Sequence, residues 1–145
     1  KMIEKVIYKK KMLALIVRGK YRSKKGITFF TDKNSTQQFG YMNHKKKYII
    51  KPHLHKKRLT KILYTTEVIL ILKGILRVDF YNVTKKYLFS KLLKEKDIIM
   101  LVHGGHGFKV IKNVEMIEIK QGPYILSKDK IKFENINEKK IRIKK

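Results

Sequence analysis

The chain has 145 residues, 43% of them hydrophobic, which suffices for one domain with its own core, and its lack of cysteine excludes both a disulfide framework and a thiolate metal site. A formal net charge of +26 points to anionic partners, whereas the excess of lysine over arginine and the single alanine, Ala14, point to compositional bias. Apolar runs such as 12–17 and 98–102 fall far short of the roughly 20 residues a membrane helix requires, so no membrane partner is expected and a cytoplasmic location is the default.

In chain order, residues 1–18 read as two short apolar strands separated by lysines, with 12–17 also able to open a helix. A basic turn over 20–26 leads into a β-branched and aromatic strand at 27–31, which a turn cluster at 32–35 ends. Residues 37–42 read as a strand with Gly40 inside it, and 48–55 as the next, with Pro52 confining it to an edge. From 33 to 66 there are nine lysines and arginines and no acid. Glu67 then opens a buried strand, and Gly74 separates 68–72 from 75–81 in the manner of a tight hairpin. Further strands are expected at 87–93, 98–102, 108–111 and 115–121. Strand signals spaced by roughly 8–12 residues, with no sustained helical period, predict an all-β antiparallel sandwich or barrel. The domain is expected to span 1–126, with 127–145 as a charged C-terminal extension, either an added strand or short helix packed outside or a disordered tail.

The chemistry concentrates in a few side chains. His53 and His55 are two apart, so on a strand both imidazoles project from one face. With Glu67, and with His106 or His103 from the run 102–107, they form a candidate site for a divalent metal, whose identity (Fe, Mn, Zn, Ni or Cu) such ligands leave open. Two other readings stand beside it. The His-x-His pair could line a metal-free pocket with one imidazole as general base, or these could be polar residues at a barrel mouth. For Glu67 the competing reading is a strand-entry carboxylate paired with Lys73 or Arg77. Strand alternation puts Gln38, Tyr41, Arg77 and Lys120 near the pocket, the two cations being suited to an anionic substrate group.

In these motifs the chain resembles the cupins. His53-x-His55 matches the family's histidine pair, and Glu67 with six intervening residues before Gly74 matches the rest of the first motif. In the second motif Lys96-Asp97 stands where Gly-Asp is usual, Val102 replaces proline, Gly104 matches, and His106 arrives one residue early. The spacer between His55 and Glu67 is eleven residues, where the family has three or four. Small single-domain cupins also share stretches like 37–41, 52–55 and 120–124, and sugar-nucleotide ketoisomerases of the family resemble the chain at 53–57.

The resemblance implies an antiparallel jelly-roll β-barrel, a site built from His53, His55, Glu67 and His106 with or without a transition metal, and homodimerisation through sheet edges. The expected function is binding of a small, anionic or sugar-like molecule. If the chain is an enzyme, proton-transfer isomerisation or epimerisation in carbohydrate metabolism comes first, with His53 or His55 as the catalytic base, and metal-dependent oxidation second. The alternative is a non-catalytic basic barrel that binds nucleic acid or another polyanion, for which lysine–aromatic interleaving would supply charge and stacking.

Overall fold

The structure, a computed structural model, describes residues 1–24, 26–125 and 129–145. The chain divides into two compact units, one formed by Lys1–Tyr21 with Tyr64–Lys145 and the other by Arg22–Leu63. The boundary expected after residue 126 falls outside the described residues.

The first unit is a curled antiparallel sheet, a half-barrel, built from β1 (Ile3–Tyr8), β2 (Lys11–Val17), β5 (Glu67–Tyr81), β6 (Tyr87–Lys94), β7 (Ile98–Leu101) and β8 (Gly105–Lys120). β1 and β2 form a hairpin whose two turn residues, Lys9 and Lys10, both have positive φ (47° and 65°), the sense of turn that matches strand twist. Residues 13–17 are buried without alternation because β2 is an interior strand, lying between β1 and β7. This settles the open reading of 12–17 as strand.

β5 organises the curl. Its first half pairs with β7 and its second half with β6, while β8 runs along its whole other side. Glu67 lies opposite Leu101 and Tyr81 opposite Gly105, yet 101 and 105 are only four residues apart. A straight strand of this length would separate its ends by about 46 Å, whereas four residues bridge at most about 14 Å. The strand must therefore bend back on itself. It does so at Gly74, where φ is +89° and the register to β8 slips three times between Ile71 and Leu76. Any Cβ there would run into the Asn113 carbonyl and lie 2.6 Å from that of Lys112. The hairpin expected at Gly74 is thus a corner within one long strand. The separate strands expected at 108–111 and 115–121 likewise join into β8.

The bend changes which residues face inward: Glu67, Ile69 and Ile71 before the corner, then Leu76, Val78 and Phe80 after it. These residues meet Leu13, Ile16, Leu93, Ile99 and Leu101 in one apolar core. The opposite face of the second half carries Arg77, Asp79 and Tyr81, also buried, because the C-terminal segment lies over it. Ile136 donates its backbone N–H to the Tyr81 hydroxyl (3.1 Å), and the Phe133 ring packs edge-on against Tyr81 at 5.0 Å. Ser90 bridges Ile143 in parallel fashion through hydrogen bonds of 2.8 and 2.9 Å. Residues 133–144 are therefore a strap on the sheet.

The second unit contains the hairpin of β3 (Gly26–Phe29) and β4 (Gly40–Asn43), closed by an edge-to-face contact of Phe30 with Phe39 at 5.3 Å. The strand expected at 48–55 is absent: residues 48–62 carry no regular secondary structure, and all are exposed. Pro52 removes a ladder donor there, and Lys51, His53 and His55 share one face that burial would penalise.

Candidate functional site

Alternation puts Glu67 on the core face of β5, and His106 lies opposite Phe80 and so on that same inner face. The curl brings them together although they face different halves of β5. His106 Nε2 lies 3.0 Å from Glu67 Oε2, with the carboxylate side chain only 8% exposed and the imidazole 27%. Lys130 Nζ stands 3.5 Å from the other carboxylate oxygen. The hydrogen bond from His106 holds the Glu67 carboxyl down to about 2, with the His106, Lys130 and Lys120 charges adding to it against the opposing effect of burial. Glu67 is therefore a fixed anion, and its own strand-mate cations do not serve it: Lys73 pairs with Glu115, and Arg77 with Asp79.

A carboxylate that accepts from Nε2–H leaves the lone pair of a neutral imidazole on Nδ1. His106 is thus oriented as an acceptor at Nδ1, with its ring against Phe108 at 5.2 Å. Lys120, directly opposite Glu67, places a cation on the same face, where its ammonium lies 3.4 Å from Glu118 and 4.9 Å from the Tyr124 ring centroid. The pairing of Thr66 with Gln121 closes this end of the sheet: the Thr66 N–H donates to Gln121 Oε1 (2.8 Å), and Gln121 Nε2 donates to Thr66 Oγ1 (2.7 Å). The turn into β8 is shaped by Gly104, whose φ of +78° and close approach to the Tyr81 carbonyl exclude a side chain. Of the two histidines weighed for this position, His106 meets Glu67, while His103 packs edge-on against Tyr64 at 5.3 Å.

His53 and His55 lie in the exposed stretch of the second unit, edge to face with ring centroids 5.3 Å apart, and His53 Nδ1 is 2.9 Å from the Lys51 carbonyl. The expected site residues thus form two pairs, Glu67 with His106 and His53 with His55. Among the described residues no three of His, Asp and Glu converge, so each pair alone gives a metal ion two donors, fewer than the three or four protein ligands of a tight transition-metal site.

Two of the residues expected to touch substrate, Gln38 and Arg77, hold other partners. Gln38 spends its amide on its own loop, donating to the carbonyls of Asp32 (2.9 Å) and Ser35 (3.0 Å). Tyr41 sits in β4 opposite Thr28. Arg77 is on the outer face, where it binds both oxygens of Asp79 (2.8 and 2.9 Å) and both of Glu138 (2.7 and 2.9 Å). Its pKa is raised by Glu138 and Asp79, and Glu138 is lowered to about 2 by Arg77 and Lys109. Ser90 donates to Asp79, and Tyr87 shares a hydrogen bond with Ser90. Sequence reasoning passed over this network, though Arg77-x-Asp79 spacing on a strand does put opposite charges on one face.

Fold and site together define an all-β protein with a buried carboxylate–imidazole pair on the inner face of a curled antiparallel sheet. No protein-family model matches the chain, no curated protein is detectably similar to it, and no solved structure matches it.

Proposed function

We propose that the chain is a cupin-type protein that binds a small anionic or sugar-like molecule, with the Glu67–His106 pair as the centre of its site. The buried pair at 3.0 Å carries this reading. A carboxylate sequestered from water beside an oriented imidazole has no need to exist for stability alone, since an apolar pair would fill the same space. Two further details agree with the resemblance. Gly74, six intervening residues beyond Glu67, makes the corner, and Lys96, which stands where the family has glycine, adopts the positive φ (67°) that glycine favours.

The chemistry that suits such a pair is proton transfer. His106 Nδ1 accepts a proton from the carbon beside a sugar carbonyl, the electron pair moves into that carbonyl, and Glu67 stabilises the imidazolium. Return of the proton to the former carbonyl carbon, with the adjacent hydroxyl proton passing to the former carbonyl oxygen, moves the carbonyl, and return to the opposite face of the original carbon inverts the centre, so no redox partner is consumed. Lys120 supplies a cation for the ligand's anionic group. His53 and His55, in the other unit, form a separate imidazole pair that stands as base or ligand in its own right. A metal at either pair would take two donors from the chain and would act there as a Lewis acid.

The test is calorimetric titration of the full chain with nucleoside diphosphate sugars, together with elemental analysis. Saturable binding lost in His106→Ala is expected. Binding unchanged in folded His106→Ala protein overturns the reading. Stoichiometric transition metal lost in His106→Ala would assign the Glu67–His106 pair to metal ligation, and metal lost only in His53→Ala/His55→Ala would assign it to the histidine pair instead.

A further inference from the structure

The net charge of +26 looks like compositional bias in the sequence, but its placement is not uniform. Between 45 and 63 there are eight lysines and arginines and no acid. Every residue of that stretch is exposed, the large apolar ones included: Ile49 at 78%, Leu54 at 96%, Leu59 at 103% and Leu63 at 73%. Leu54 and Leu59 therefore gain no burial from the fold. Pro52 also holds the chain extended through its own φ and that of Lys51.

Charge and apolar exposure together select the partner. A nucleic acid would neutralise the cations but leave the isoleucines and leucines in water, and for stacking a base this stretch offers one tyrosine, Tyr48, already stacked on His44 at 4.2 Å, and two imidazoles, His53 and His55, already edge to face at 5.3 Å. An apolar protein groove would cover the leucines but strand the cations. The interface of an anionic bilayer meets both demands, with acyl chains for Leu54 and Leu59 and headgroup phosphates for the lysines, whose aliphatic stems span the boundary. We infer that residues 45–63 dock the protein on anionic lipid surfaces. Such docking requires no spanning segment, and among the described residues no helix is long and apolar enough to cross a membrane.

The experiment is co-sedimentation of the full chain with phosphatidylcholine vesicles with and without phosphatidylglycerol. Binding only to the anionic vesicles is expected. Lys56→Gln/Lys57→Gln/Arg58→Gln should weaken it roughly a hundredfold, and Leu54→Ser/Leu59→Ser at least about tenfold. The chain has no tryptophan, so Leu59→Trp gives a single tryptophan, whose emission, excited beyond the tyrosine absorption band, is expected to shift blue on the same vesicles. Failure to bind them, undiminished binding by the leucine double variant, an unshifted Trp spectrum, or displacement from vesicles by single-stranded RNA would each overturn the inference.

Discussion

Glu67 is the residue at which burial and charge are most opposed. Because its folded pKa lies near 2, below the ordinary value of 4.5, its ionised form contributes stability that is complete above pH 4.5 and is lost as pH falls toward 2. Acid unfolding of wild type should therefore be steep in that window. Glu67→Gln should flatten it, a difference that thermal melts across the pH series would reveal. Arg77 makes a second test at this scale. Replacing it with leucine leaves Asp79 buried without its partner, a change that costs about 3–5 kcal/mol. Differential scanning calorimetry should show a large drop in Tm, whereas Glu138→Gln, at the exposed end of the same network, should lower Tm far less.

At the level of elements, the corner at Gly74 decides whether the sheet curls. Gly74→Ala puts a Cβ into the Asn113 carbonyl at a positive φ, and a loss of about 3 kcal/mol or more in chemical denaturation is expected. The strap predicts a pattern in hydrogen exchange. The Ser90 and Lys144 amides, bonded across the strap–β6 bridge, should exchange slowly, and Glu138→Ala should speed both together, since each bond has one end on the strap.

Much of this architecture was legible in the chain, and the failures have physical causes. The period-2 and apolar runs marked β1, β2, β5, β6 and β7, because burial dictates that pattern locally. The curl was not legible: a positive-φ glycine reads alike whether it ends a strand, turns a hairpin or bends one long strand, and the pairing partners that decide lie far off in sequence. Glu67 and His106 stood out as a lone carboxylate and a histidine among glycines, but their contact depends on that curl. Arg77 was misread because alternation gives a face and not what covers it. The segment that covers it begins more than fifty residues later.

Across the molecule, the first unit combines an apolar core with buried ion pairs on its inner face, Glu67 with His106 and Glu4 with Lys91, and the second carries much of the uncompensated charge. The account stands or falls on the Glu67–His106 pair. The most direct measurement is long-range ¹H–¹⁵N correlation of the histidine side chains in the labelled full chain, titrated with a nucleoside diphosphate sugar. The prediction is a His106 whose Nε2–H is held by Glu67, whose Nδ1 signal shifts as ligand saturates, and whose Nε2 signal moves in Glu67→Gln. An Nδ1–H tautomer, or a His106 that stays still while ligand saturates, would contradict it.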